Sequence, residues 1–174
     1  PEDGELHTPY GATEALPVST IAGSEVLAET RALTERGAGT CVGRPAPEVE
    51  LRLIAVDDAP LASMRDAMPV APGELGEVCV RGPVVTRSYA EEPEHTARAK
   101  LADEAGFWHR MGDLGRLDDA GRLWFCGRKA HRLETSGGLV ASGPTEGVFD
   151  ADARVRRSAL VGVGARGAER PVLV

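Results

Sequence analysis

Alternation of polar and apolar residues with a period of two marks most of the regular structure in this chain. Residues 48–56, Glu-Val-Glu-Leu-Arg-Leu-Ile-Ala-Val, alternate and then become wholly apolar, as a half-buried strand running into a core does. A turn is predicted at 57–60. Residues 77–82, Glu-Val-Cys-Val-Arg-Gly, alternate strictly after a loop rich in proline and glycine at 69–76, and the sheet is expected to be antiparallel here. Short strands are also predicted at 5–9, 114–117, 123–126 and 131–135, with hairpin chemistry at the Asp118-Asp119-Ala120-Gly121 tip.

One surface helix is predicted over 93–102, where Pro93 stands near the first helical position and acidic residues occupy the first turn. Beyond residue 128 the character changes. A Ser136-Gly137-Gly138 bend and a loop at 142–144 precede a helix from 145 to about 155, a strand at 159–163 and an apolar run at 171–174. The fold class is α+β and β-rich, with a domain boundary at 128–130 separating residues 1–128 from 129–174.

Composition narrows the function. The 174 residues can bury a real core, and no apolar run approaches the roughly 18 residues that a membrane-crossing helix needs. A formal net charge of -7 argues against a nucleic-acid partner, because such proteins carry a concentrated basic face. Cys41, Cys79 and Cys126 are widely spaced and set among apolar residues, so reduced core thiols and a cytoplasmic location are expected. The acidic opening Pro1-Glu2-Asp3-Gly4-Glu5 carries no signal peptide, and both termini read as internal cuts in a longer chain.

Five residues, Tyr10-Gly11-Ala12-Thr13-Glu14, combine the groups that ATP requires. Tyr10 offers a face for a purine, Gly11 lets backbone approach a ligand, Thr13 offers a hydroxyl to phosphate, and Glu14 offers the hard oxygen that Mg2+ prefers. Taken alone, the pentapeptide reads as a strand-to-helix turn with a capping threonine. Asp113, placed at a strand end between Gly112 and Gly115, can accept from both ribose hydroxyls or can be a turn aspartate. Arg128 is a charge-assisted donor to ribose or phosphate, or a surface arginine.

The ordered set YGATE at 10–14, GELGEVCVRGPVVTRSY at 73–89, HRMGDLG at 109–115 and RLDDAGRLWFCGR at 116–128, followed by a glycine bend and Pro144-Thr145-Glu146, resembles the acyl-adenylate-forming superfamily over essentially the whole chain. The resemblance implies a distorted β-barrel and sheet end of a large N-terminal domain, followed by the start of a small α+β lid. It implies ATP and Mg2+, with Tyr10 on adenine, Gly11 and Thr13 at phosphate, Glu14 on the metal, Asp113 on ribose and Arg128 just before a hinge. Thr13 and Glu14 would be the catalytic pair.

More narrowly, residues 8–14, 109–113 and 126–132 are similar to the branch that makes β-lactones in bacterial long-chain olefin biosynthesis. That branch implies a long-chain 2-alkyl-3-hydroxy acid as substrate, no consumption of CoA, and other enzymes of the same pathway as partners. An acyl-CoA synthetase or fatty acyl-AMP ligase is the alternative within the superfamily, and a β-rich docking module without nucleotide chemistry is the alternative outside it.

Three departures stand out. His109-Arg110-Met111 precede Gly112-Asp113 where the superfamily has Tyr-x-Thr, Ala130 takes the usual hinge position, and Gly138 replaces a larger residue. No phosphate loop ending in lysine is present, and Lys100 and Lys129 are the only lysines, so the chain by itself is expected to be inactive. His109 and His131 are expected to be structural, His7 and His95 to lie at the surface, Trp108 and Trp124 in the core, and Glu74 and Glu77 around a solvated loop.

Overall fold

The computed structural model describes residues 4–174. Residues 1–3, part of the acidic opening read as an internal cut, lie outside the described residues. Strands β1 (His7–Ala12) and β2 (Ala15–Ala22) form an antiparallel hairpin. A helical stretch follows, α1 (Gly23–Glu25), a π-helical turn (Val26–Thr30) and α2 (Arg31–Thr34), and leads into β3 (Thr40–Pro45). Strands β4 (Glu50–Ile54) and β5 (Gly76–Arg81) pair antiparallel, in agreement with the alternating pattern.

Helix α3 (Pro93–Ala99) has its proline at the start, as expected, but ends before residue 102. Residues Lys100–Asp103 form β6 instead, because they pair with the start of β7 (Gly106–Leu117), where Leu101 meets the fully buried Trp108. Strand β8 (Leu123–Arg128) completes the main sheet, whose order is β1-β2-β3-β8-β7-β5-β4 with β6 beside β7. This sheet has eight strands and is open, which corrects the expectation of a distorted barrel. The C-terminal end of edge strand β4 is covered by its own loop: Ala55 N–H donates to the Met68 carbonyl, and Ile54 bridges Pro69.

The core sits on this sheet. Val18, Val78, Val80 and Leu123 are fully buried in one cluster, and Ile54, Cys79, Leu101 and Trp108 in another. Each such side chain contributes about 1.5–3 kcal/mol relative to exposure. Cys41, Cys79 and Cys126 are free and buried, and burial pushes the Cys79 thiol up to about 12 and the Cys126 thiol up to about 11.

Past β8, a 3-10 turn (Lys129–His131) leads to two small antiparallel pairs, β9 (Leu133–Thr135) with β10 (Gly138–Val140) and β11 (Leu160–Val163) with β12 (Arg170–Leu173). Helix α4 spans Ser142–Asp150, beginning three residues earlier than predicted and ending short of 155, and in its first turn Gly143 packs so tightly on the Cys126 carbonyl that a Cβ there would stand 2.8 Å from that oxygen. The expected loop at 142–144 is its first turn. No helix among the described residues is long and apolar enough to cross a membrane.

Candidate active site

The hairpin of β1 and β2 presents Thr13 and Glu14 at its tip, so the predicted strand at 5–9 is corrected to His7–Ala12 and the turn falls after Gly11. Gly11 stays glycine for space: an added Cβ would stand 2.3 Å from the Ala15 carbonyl oxygen. The Thr13 hydroxyl donates to Glu14 Oε2 at 2.8 Å. A residue that spacing did not single out, Tyr89, donates its hydroxyl to Glu14 Oε1 at 2.8 Å. These two bonds, Tyr89 first, hold the Glu14 carboxyl below the ordinary carboxylate range. Burial and the same partner push the Tyr89 phenol up to about 12.

Asp113 lies within the twelve-residue strand β7, not at its end, and faces Arg128 across the β7–β8 register. Gly112 before it takes φ +66, a conformation that glycine adopts without strain. The Asp113 carboxylate is only 3% exposed. It accepts from the Tyr10 hydroxyl at 2.6 Å and from Arg128 Nη1 at 2.7 Å. Burial, then the Asp113 charge, raises the Tyr10 phenol far above its ordinary range. The Tyr10 ring leans on Phe125 at 5.9 Å and borders a cavity of about 620 Å³ between β1, β3, the helical stretch and α4.

Tyr10, Asp113 and Arg128, predicted as one set across more than a hundred residues of sequence, are therefore in direct contact. Thr13 and Glu14 form a second group at the end of the same strand, and among the described residues no hydrogen bond joins the two groups. Both groups fit a nucleotide with its metal. The lone carboxylate with an adjacent hydroxyl suits Mg2+, which takes one or two protein carboxylates and completes its shell with phosphates and water. Among the described residues no cluster of three acidic, histidine or cysteine side chains forms a metal cage.

Glu77 corrects its sequence reading. It is not solvated but 1% exposed, and it accepts from Arg110 Nη2 at 2.6 Å and Lys129 Nζ at 3.0 Å. Alternation along β5 gave no hint, because a glutamate at an inward strand position is legible only once Arg110 and Lys129 are seen to arrive from β7 and from the turn after β8. His109 is buried, with Nδ1 3.3 Å from the Ala99 carbonyl oxygen, and burial holds it down to about 4. His7, His95 and His131 are exposed, as is Ala130.

The open antiparallel sheet brings a tyrosine, an aspartate and an arginine into contact beside a Thr-Glu hairpin tip, and the fold matches structures of adenylate-forming enzymes. The structure matches the amide bond synthetase McbA from Marinactinospora thermotolerans with a TM-score of 0.75 and 30% sequence identity, over 97% of this chain and 30% of that one. The family model described as "AMP-binding enzyme" matches residues 2–90, and the chain belongs to that family. It is 52% identical to the olefin beta-lactone synthetase of Stenotrophomonas maltophilia (strain K279a) and 46% identical to that of Xanthomonas campestris pv. campestris, each over 99% of this chain. The chain spans 32% of the length of each of these relatives.

Proposed function

We propose that this chain supplies the ribose and metal end of an ATP site in an enzyme that activates a carboxylic acid as its adenylate and then closes a β-lactone. The observation that carries the reading is the contact of Tyr10 and Arg128 with the buried carboxylate of Asp113, Tyr10 coming from the strand that leads into Thr13 and Glu14. In this reading Asp113 accepts from the ribose hydroxyls, Arg128 donates to ribose or phosphate, Tyr10 flanks adenine, Gly11 leaves room for phosphate, Thr13 donates to a phosphate oxygen and Glu14 holds Mg2+. The cation would neutralise charge that builds on the phosphates.

The chemistry balances without CoA. A carboxylate oxygen of the acid attacks the α-phosphorus of ATP, and pyrophosphate leaves. The 3-hydroxyl oxygen of the same acid then attacks the acyl carbon, AMP departs with the bonding electrons of its C–O bond, and the hydroxyl proton passes to solvent. Positioning the 3-hydroxyl at the acyl carbon lowers the barrier to this second step, and departure of AMP from the mixed anhydride drives closure of the strained ring. The names of the two bacterial relatives support β-lactone closure on the way to an olefin, and we propose a long-chain 2-alkyl-3-hydroxy acid as substrate, with other enzymes of olefin biosynthesis as partners. We also propose that residues 1–128 close a large domain and 129–174 open a lid, and that the reaction is cytoplasmic.

The test is an assay of the intact protein with ATP, Mg2+ and a 3-hydroxy fatty acid, with and without CoA. One β-lactone, one AMP and one pyrophosphate per turnover in the absence of CoA are expected. A thioester formed only with CoA would return the protein to the acyl-CoA synthetase reading.

A further inference from the structure

We infer that Tyr89 is a positioning residue that sets the Glu14 carboxylate for its cation; the inference rests on the magnesium role proposed for Glu14. A glutamate at a hairpin tip is ordinarily free to sweep through several rotamers, and ordering it costs side-chain entropy. Here both oxygens are fixed. Tyr89 donates to Oε1 and Thr13 to Oε2, each at 2.8 Å, while Thr86 N–H holds the Glu14 backbone carbonyl at 2.8 Å. Each carboxylate oxygen has two acceptor directions. One on each oxygen is therefore spent on orientation, and one on each is left for a cation and its water.

Tyr89 is itself held. Its backbone N–H donates to Thr96 Oγ1 in α3 at 3.0 Å, and its ring meets His95 edge-on at 6.3 Å. Ala15 bridges Val85, so the 83–96 segment wraps the hairpin tip as one unit. Unlike Thr13, which moves with the tip, Tyr89 arrives from a separate segment 75 residues away and gives Glu14 an external reference. Partners that orient a metal ligand are typically worth 10- to 100-fold in metal affinity.

The experiment compares Tyr89→Phe, Glu14→Gln and the parent in the intact protein. Binding of Mn2+, as a paramagnetic stand-in for Mg2+, is measured by electron paramagnetic resonance with α,β-methylene-ATP, and AMP formation is followed against free Mg2+. Tyr89→Phe is expected to weaken Mn2+ binding about tenfold. Its half-saturating Mg2+ should rise more than its maximal rate falls. Unchanged Mn2+ affinity in Tyr89→Phe, with Glu14→Gln impaired, would overturn the inference alone. Unchanged affinity in Glu14→Gln would overturn the magnesium reading beneath it. A fall in maximal rate with no change in cation dependence would make Tyr89 merely structural.

Discussion

Arg128 Nη1 lies 2.7 Å from Asp113 Oδ1, so the carboxylate proposed to receive a ribose already carries a cation. With Tyr10 on the other oxygen, a ribose must share the remaining lone pairs or displace a donor. Replacing Asp113 with alanine in the intact protein is expected to weaken ATP binding about 10- to 100-fold, since a hydrogen bond to a charged group contributes about 1.5–3 kcal/mol. Calorimetric titration measures it, and affinity within twofold of the parent would place the ribose elsewhere.

Glu77 is the buried counter-charge of Arg110, whose Nη1 and Nη2 also donate to the carbonyls of Ala59 and Asp57, while its buried Nε has no partner among the described residues. Glu77→Ala leaves that guanidinium unpaired and is expected to destabilise the fold by about 3–5 kcal/mol. Lys129→Ala removes a less buried partner while Arg110 still neutralises Glu77, and should cost less, about 1.5–3 kcal/mol for a hydrogen bond to a charged group. Urea unfolding ranks the two, and the reverse order would contradict this assignment of the central pair.

His109 is held down to about 4 by burial, against an ordinary value of 6.5. Between those values the unfolded chain binds the proton and the folded one does not, so stability falls as pH drops through this window. The slope reaches at most about 1.4 kcal/mol per pH unit. His109→Phe should flatten the dependence between pH 6.5 and 4, and the His109 ring signals in proton spectra should not titrate from pH 7 to 5.

Gly11→Ala forces the hairpin apart at the Ala15 carbonyl. A loss of about 1–3 kcal/mol is expected. Because the clash lies two residues before Thr13, Mn2+ binding at Glu14 should weaken alongside the fall in thermal midpoint. A variant with the parent midpoint would show that the hairpin relaxes freely.

Strands with period-two alternation were readable from sequence, at Glu50–Ile54 because one face packs on the core and the pattern records burial directly, and at Gly76–Arg81 even though that strand is buried on both faces. The hairpin partner Ala15–Ala22 was not readable. Proline at position 17 and a run of small hydroxyl residues mask its alternation, and tertiary pairing with β1 and β3 makes it a strand. The motif residues were legible because Tyr10, Asp113 and Arg128 are chemically distinctive in order. Tyr89 and Glu77 were not, since their meaning comes from partners 75 and 33 residues away.

Arg128 and Lys129 are neighbours in the chain, yet one grips Asp113 on β7 and the other grips Glu77 on β5 and the Asp57 carbonyl. In mechanical terms the end of β8 is a beam built into a wall at two points, where a pin joint would have one. The next residue, the exposed Ala130, sits inside the Lys129–His131 turn, whose far end is tied back to the Lys129 carbonyl by the Arg132 N–H and Arg132 Nη1, so the anchorage of Asp113 continues past the strand end.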